Sequence, residues 1–323
     1  MNPVKSKKYD FDITVTDNTY AGELALPYVT AAVTGAETIT NNRCRLIEGV
    51  VHKAVISNLG LTDVIQAADC AGTDGASTSL TEQVVTLNDL MVKETICRKT
   101  MFPTFIAAQG RMRRDGNIPP DFAQFLLSSV SEKAGQNLET FLWAGVATTF
   151  PFGLLSNDGV IDEAGINAGA MQDFGQVQTA ATFTAANILG EMDKVFAGVA
   201  ATPGIMLKPG AGFYIGYEAY AFFQQAQAAQ NTGAGYNQDL SGASYLGYPV
   251  YPTAGIGTAD AIAFTYPDNI VVGTNAYTGN EAAALIPVYQ YDGSDNVKAT
   301  MNFAVGVNVA VPTDGVVGFA FTA

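Results

Sequence analysis

The longest regular pattern of apolar and polar positions in the chain lies near its C-terminus. In "VKATMNFAVGVNVAV" every second residue from Val297 to Val311 is apolar, and the residues between them are polar or small. A period of two is typical of a β-strand with one covered face, and these fifteen residues would span roughly 50 Å at about 3.3 Å per residue. The Asp-Gly turn signal in the preceding "YQYDGSDN" predicts an antiparallel hairpin with "LIPVYQY".

A helical pattern occupies "IPPDFAQFLLSSVSEKAGQNLETFLWAG". Apolar residues recur every three or four positions, which predicts an amphipathic spine helix of about 24 residues, roughly 36 Å long. Pro119 and Pro120 suit its first turn and Gly145 suits its end. The predicted polar face carries Gln124, Ser128, Glu132 and Glu139. The predicted helix core is formed by Phe122, Phe125, Leu126, Val130, Ala134, Leu138, Phe141 and Leu142.

The N-terminal part of the chain lacks such long patterns. Residues 1 to about 40 show no sustained helical period, which favours an extended arm. Two β-like runs follow, "EGVVHKAVISNLG" and "EQVVTLNDLMVKETICRK", and the small-residue stretch "AADCAGTDGASTSLTE" separates them. They predict a long hairpin with a flexible tip. Since a two-stranded ribbon is marginally stable alone, we expect both arm and hairpin to pack on a neighbouring copy.

The segment from about Pro151 to Ala284 mixes helical and strand patterns. "TAANILGEMDKVFAGVAA" predicts a helix with Thr184 as its N-cap, and "YEAYAFFQQAQAAQ" predicts a second helix. Short strands are predicted at "GFYIG", "YPVYPT", "AIAFTY" and "NIVVGT". We expect these elements to form one compact domain centred on a sheet.

Composition and charge narrow the function classes. The chain has 323 residues, of which 48% are hydrophobic, so it can bury a large core. It contains no apolar run of eighteen residues and no signal-peptide pattern, so we expect no membrane partner. The first 114 residues hold twelve Lys or Arg and twelve Asp or Glu, whereas the remainder has a net charge of −14. This acidic remainder argues against sequence-specific binding of nucleic acid. We expect the acids to face solvent.

Candidate chemical sites are sparse. His52 is the only histidine, and its place in a β-like run favours a hairpin side chain over a catalytic base. A zinc site would need His52, Cys44, Cys70 and Cys97 to converge, although zinc ligands usually occur in close pairs. The sequence "DGVIDEAG" lacks a regular acidic spacing, which favours a solvated loop over a cation site or the carboxylate pair of a glycosidase. Its three carboxylates belong to Asp158, Asp162 and Glu163. We therefore predict no catalytic, cofactor or metal site.

A basic loop, "QGRMRRDGN", leaves two interpretations open. Its three guanidinium groups belong to Arg111, Arg113 and Arg114. They either form a solvated loop or donate to carboxylates of an adjacent subunit.

The order of these elements resembles that of a tailed-bacteriophage major capsid protein with the Hong Kong 97 capsid fold. "LGYPVYPTAGIG", "AFTYPDNIVVGTN" and the final strands are similar to motifs of that family, and the resemblance covers essentially the whole chain. It implies an α+β fold in five segments: an N-terminal arm at 1–42, an extended β-hairpin loop at 43–99, a peripheral domain with the spine helix at 100–150, an axial α/β domain at 151–284, and the long-stranded antiparallel sheet of the peripheral domain at 285–323.

The resemblance implies a structural shell protein and no enzyme. Copies would assemble as hexamers and pentamers into an icosahedral capsid around the genome of a tailed double-stranded DNA phage. The virion would be assembled in the host cytoplasm, with a portal protein as partner and with separate scaffolding or decoration proteins. The predicted loop tip, residues 66–85, contains no lysine, whereas Lys53 and Lys93 lie near the loop base. Covalent crosslinking is therefore not expected, and Lys53, Lys93 and the three arginines are candidate inter-subunit contacts.

Two alternatives remain. An encapsulin-like nanocompartment shell would share the fold but enclose cargo enzymes. A β-rich carbohydrate-active enzyme would use the carboxylates of the acidic loop.

Overall fold

The computed structural model describes residues 18–21, 26–62, 77–97, 120–144, 153–155, 171, 174–180, 182–230, 243–257, 260–275, 282–288, 293–294 and 296–319. These residues form two six-stranded sheets, one two-stranded ribbon and five α-helices. Among them, no helix combines the length and apolar character that crossing a membrane requires.

The larger sheet is centred on β13 (Asn296–Val309), the strand that the alternating pattern predicts. β5 (Asn88–Cys97) pairs with one edge of β13. β12 (Ala282–Pro287) and β11 (Ile270–Thr274) pair one after the other with the opposite edge of β13. The antiparallel pairing of β12 with β13 confirms the predicted hairpin. The sheet is completed by β1 (Asn18–Ala21) and β2 (Arg45–Ile47).

The long helix α3 (Pro120–Trp143) packs on this sheet and has the 24 residues that the sequence predicts. Its buried Leu126, Leu138 and Leu142 share one cluster with Met301 and Phe303 of β13. Val130 and Phe141 pack against the same cluster but are half-buried. The side chains of Phe122 and Phe125 lie outside the described part of the structure. The apolar stripe therefore covers one face of the sheet, as predicted.

The expectation of an extended arm is wrong for residues 26–40. This segment forms α1 (Leu26–Thr34) and α2 (Glu37–Thr40), and Ala32, Val33 and Ile39 are buried in the cluster that contains α3. Helices this short are not stable by themselves and depend on packing, which is why the sequence shows no sustained period. This part of the arm is thus buried on its own chain. Residues 1–17 lie outside the described residues.

The predicted hairpin is present as a ribbon of β3 (Lys53–Thr62) and β4 (Ser77–Thr86), which pair antiparallel over their whole length. The second predicted run, however, divides at Leu87. Its first part is β4, and its second part is β5 in the larger sheet. The ribbon is therefore continuous with the edge of that sheet.

The smaller sheet forms a second core between residues 175 and 319. Its strand order is β6 (Gly175–Gln178), β14 (Val316–Phe319), β10 (Ile262–Thr265), β7 (Gly212–Ile215), β9 (Tyr248–Pro252) and β8 (Ser244–Tyr245). The two predicted helices, α4 (Ile188–Ala200) and α5 (Tyr217–Gln230), pack against it.

Three expectations about this region need correction. β11 was expected in the smaller sheet but pairs with β13, and β14 was expected in the long-stranded sheet but pairs with β10. A short, fully buried strand shows the same apolar pattern in either sheet, so the sequence did not distinguish them. The N-cap of α4 is Asn187 and not Thr184, and its side chain makes no capping hydrogen bond.

Candidate functional site

The ribbon has one covered and one uncovered face. Ile56 and Val85 are buried against Val271 of β11. On the opposite face, Val55 is paired with Val84 and Leu59 with Leu80. These four side chains, which we call the ridge, are 59%, 41%, 57% and 62% exposed respectively. Exposed aliphatic clusters of this kind mark interaction surfaces.

One acidic side chain interrupts the ridge. Glu82 is paired with Ser57, midway between the two aliphatic pairs, and both residues are exposed. Residues paired directly across antiparallel strands share a face, as do residues two positions apart. The ridge is therefore an apolar strip with one carboxylate at its centre.

The base of the ribbon is fixed to the larger sheet. Asn308 of β13 donates a hydrogen bond from Nδ2 to the Val84 carbonyl at 2.9 Å. Gly306 allows the chain to pass closely, because a Cβ at that position would lie 2.2 Å from the Thr86 carbonyl oxygen. These contacts set the direction in which the ribbon leaves the sheet.

A groove of about 520 Å³ lies between β5 and α3. Its apolar lining includes Leu90 and Ile96 of β5, Val130 and Phe141 of α3, and Phe303 of β13. The charged residues of its lining are Lys93, Glu94 and Lys133. On α3 the lining residues follow the helical spacing from Leu126 to Phe141, so the groove runs along the helix.

The predicted contact residues lie at different places. Lys93 lines the groove and is exposed, whereas exposed Lys53 begins β3 at the base of the ribbon. Arg111, Arg113 and Arg114 lie outside the described residues, as do Asp158, Asp162 and Glu163. The structure therefore places Lys53 and Lys93 beside the ribbon and groove and leaves the arginines as a prediction.

A buried polar junction joins the arm to α3. Glu139 is 2% exposed and accepts hydrogen bonds from the Thr38 backbone N–H at 2.9 Å and from the Thr38 hydroxyl at 2.7 Å. Trp143 donates from Nε1 to the same hydroxyl oxygen at 2.8 Å. The Glu139 carboxylate thus takes the place of an N-cap for α2, whose own N-cap residue, Ala36, makes no side-chain hydrogen bond.

The junction also reaches the smaller sheet. Glu37 accepts hydrogen bonds from the Tyr217 hydroxyl at 2.8 Å and from the Ala254 N–H at 3.1 Å. It also forms a salt bridge with Arg43 at 3.7 Å. The Arg43 guanidinium lies 5.1 Å from the Tyr251 ring centroid and donates to the Pro252 carbonyl. Residues 37–43 therefore connect α3, which packs on the larger sheet, with elements of the smaller sheet.

Burial raises the pKa of the Glu139 carboxyl above its ordinary value of 4.5. The two hydrogen bonds from Thr38 lower it, Glu37 raises it and Arg43 lowers it, but loss of solvation is the largest effect. Nearby, burial also raises the pKa of the Cys44 thiol to about 12. Cys44 is therefore a protonated, unreactive thiol at neutral pH.

Glu139 was predicted on the solvent face of the helix, and this prediction is wrong. The helix is buried on two sides, by the sheet and by α1, and Ser131, Gly135 and Glu139 line the second side. One sequence feature indicates this second buried side: Ser131, Gly135, Glu139 and Trp143 follow one another at a spacing of four residues. The expectation that acids face solvent also fails at Glu191, which is 6% exposed and paired with Lys194.

The other candidate chemical residues do not form a site in the described structure. His52 is exposed at the start of the ribbon. No group of three or more His, Cys, Asp or Glu side chains that could hold a metal ion occurs among the described residues. Cys70 lies outside the described residues, so the structure does not test whether the four candidate zinc ligands converge.

Comparison with known proteins defines the fold. No protein-family model matches the chain, and no curated protein matches its sequence. Solved structures do match. The capsid of the native GTA particle is 13% identical with a TM-score of 0.55, and the match covers 90% of this chain and 91% of that chain. A chain of Microbacterium phage Oxtober96 is 14% identical with a TM-score of 0.54 and coverages of 90% and 92%. The capsid of Myoviridae Phage XM1 is 9% identical with a TM-score of 0.52 and coverages of 88% and 92%.

These similarities extend over nearly the whole of each chain. The protein is therefore a mixed α+β protein with the fold of phage capsid subunits.

Proposed function

We propose that this protein is a structural shell protein. Its copies assemble into an icosahedral capsid of hexamers and pentamers that encloses the genome of a tailed double-stranded DNA phage. The observation that carries the proposal is the match over about nine-tenths of both chains to the capsids of the native GTA particle and of Myoviridae Phage XM1. The exposed ridge supports it, because a single copy leaves these aliphatic side chains uncovered.

The finer architecture that we propose is that of the Hong Kong 97 capsid fold. Its segments are an N-terminal arm at 1–42, an extended loop at 43–99, a peripheral domain at 100–150 with its sheet at 285–323, and an axial domain at 151–284. β11 and β14 are then strands that one domain contributes to the sheet of the other. The role is structural and not catalytic: obligate interfaces of about 2,000–5,000 Å² can hold a shell without covalent bonds.

The proposed partners follow from this role. Copies of the chain bind one another, and Lys53, Lys93, Arg111, Arg113 and Arg114 are proposed inter-subunit contacts. A portal protein and separate scaffolding or decoration proteins complete the particle. DNA is packaged without sequence-specific contact, since the larger part of the chain is acidic. The protein is located in the virion capsid after assembly in the host cytoplasm.

Expression of the chain alone, followed by negative-stain electron microscopy and size-exclusion chromatography, tests the proposal. We expect closed shells or hexamer- and pentamer-sized rings. A monomer at all accessible concentrations would contradict the shell function. Shells that enclose a defined protein would instead indicate a nanocompartment, and a monomer that hydrolyses glycans would indicate the carbohydrate-active alternative.

A further inference from the structure

The C-terminal turn of α3 is held between two other elements of the same chain. On one side, Thr38 of α2 binds the Glu139 carboxyl group and accepts a hydrogen bond from the Trp143 indole. On the other side lies the 3₁₀ turn Ala254–Ile256, where a Cβ on Gly255 would be 2.2 Å from the Glu139 carbonyl oxygen. α2 can therefore separate from α3 only if its hydrogen bonds to Glu139 and Trp143 break.

The junction contains more acidic than basic groups. Among the described residues, the charges that act on the Glu139 carboxyl are those of Glu37, which has the same sign, and Arg43, which has the opposite sign. Arg43 forms its salt bridge with Glu37, and no described cation forms one with Glu139. Glu139 is only 2% exposed, and an unpaired charge is costly to remove from water. Ionisation of Glu139 therefore places a second negative charge in a junction that holds one guanidinium.

The other ionisable groups around Glu139 keep their protonation state between about pH 4.5 and pH 8. A guanidinium remains charged over this range, and burial raises the pKa of the Cys44 thiol to about 12. Burial also raises the pKa of three phenol groups that face the junction from β7, α5 and β9, which belong to Tyr214, Tyr217 and Tyr251. The charge of the junction therefore depends on its two carboxyl groups, of which Glu139 is buried and Glu37 is half-buried.

We propose that this junction is a pH-sensitive latch, which holds α1 and α2 on α3 while Glu139 is protonated and loosens when Glu139 ionises. Because burial raises the pKa of this carboxyl above 4.5, closure is most favoured below about pH 4.5 and declines as the pH rises through the raised pKa. α1 and α2 have nine and four residues, and short elements at the edge of a fold can open locally while the core stays folded. The latch is a property of the single subunit and does not depend on the proposed shell function.

Hydrogen exchange of the full chain tests the latch. The backbone amides of residues 38–43 all donate hydrogen bonds, and that of Thr38 donates to Glu139 itself. Their protection factors, which remove the intrinsic effect of pH on exchange, measure how often this segment opens. In the wild type we expect these factors to fall about tenfold or more between pH 5 and pH 8, with a much smaller change in β13. In Glu139→Gln we expect them to be equal at both pH values.

Two further variants separate the latch from a general effect of buried acids. Glu37→Gln removes one of the two carboxylates that share Arg43, so ionisation of Glu139 meets less repulsion. We expect the fall in protection at residues 38–43 to be about two- to threefold smaller than in the wild type. Glu191→Gln changes another buried carboxyl, which has its own partner in Lys194, and should leave the fall unchanged.

The only tryptophan of the chain gives a second readout. Trp143 is fully buried and donates to Thr38, so we expect acrylamide to quench its fluorescence more strongly at pH 8 than at pH 5 in the wild type. In Glu139→Gln the quenching should be the same at both pH values.

Three results would overturn the latch. They are wild-type protection at residues 38–43 that does not change with pH, a fall of equal size in β13, and the same pH dependence in Glu139→Gln as in the wild type. If Glu139→Gln does not fold, Glu37→Gln decides the question, because a fall as large as that of the wild type would overturn the latch. None of these results bears on whether the protein forms shells.

Discussion

At the scale of single residues, Glu139 makes the stability of the subunit depend on pH. Its folded-state pKa lies above the ordinary value of 4.5, chiefly because the carboxyl is buried. The folded chain therefore binds this proton more tightly than the unfolded chain. The stabilising effect is fully present below about pH 4.5 and is lost as the pH rises through the raised pKa.

Glu139→Gln removes this dependence, because the amide is neutral and can still accept a hydrogen bond from the Thr38 N–H. We expect the free energy of unfolding of the wild type, minus that of the variant, to decrease as the pH is raised from 4.5 to 8. Urea titrations across this range measure it. Glu132→Gln, at an exposed position of the same helix, is the control. A difference that stays constant or grows with pH would contradict the prediction.

Gly135 is the residue on which the contact between α1 and α3 depends. A Cβ at this position would lie 2.8 Å from Gly35 Cα and 2.9 Å from its carbonyl carbon, and both atoms belong to the backbone. We expect Gly135→Ala to destabilise the subunit by about 1–3 kcal/mol, since α1 must move away from α3. Gly190→Ala in α4 meets no atom within 4 Å and is expected to stabilise by about 0.4–1 kcal/mol. Equal effects of the two substitutions in urea unfolding would contradict this view of the contact.

At the scale of elements, the ribbon depends on the end of β13. Asn308 bridges the two through its bond to the Val84 carbonyl, and one such bond is worth about 1 kcal/mol. We expect Asn308→Ala to speed hydrogen exchange about fivefold at the amides of residues 84–87, with little change elsewhere. Asn302→Ala, at an exposed position of the same strand, should leave these rates unchanged. A uniform increase over the whole chain would show that Asn308 supports the fold and not the ribbon.

Long elements could be predicted from the sequence because a long period contains enough residues to define one face. The alternation around Phe303 and the helical stripe around Leu138 are such cases. The positions of β11 and β14 could not be predicted, because strand exchange between two sheets is decided by pairing partners far away in the chain.

The candidate site was predictable only in part. Lys93, one of the predicted inter-subunit contacts, lines the groove, and its contact role stays a prediction. The ridge was missed because its residues are adjacent only once β3 and β4 are in register. Glu139 was missed because its burial depends on Thr38, about a hundred positions earlier in the chain.

At the scale of the whole molecule, the two cores should unfold together. β11 follows β10 of the smaller sheet in the chain but pairs with β13 of the larger sheet, and β14 follows β13 but pairs with β10. In addition, Glu37 links α2 to Tyr217 and Ala254 through hydrogen bonds. Neither core can open without breaking strands or hydrogen bonds of the other. We expect a single calorimetric transition in which the van't Hoff and calorimetric enthalpies agree. Two resolved transitions would contradict this coupling.

The net charge of the molecule should make its assembly depend on salt. Each copy carries −14, and at about 0.01 M salt this charge acts on its neighbours over a Debye length of about 30 Å. At about 0.15 M the length falls to about 8 Å, so the repulsion is largely screened while apolar contacts such as the ridge persist. We expect the critical concentration for assembly, measured by light scattering, to fall about tenfold between these conditions. Choline chloride at equal ionic strength should act like sodium chloride, since screening does not depend on the cation. Assembly that weakens with salt would mean that ion pairs between copies outweigh the net repulsion between them.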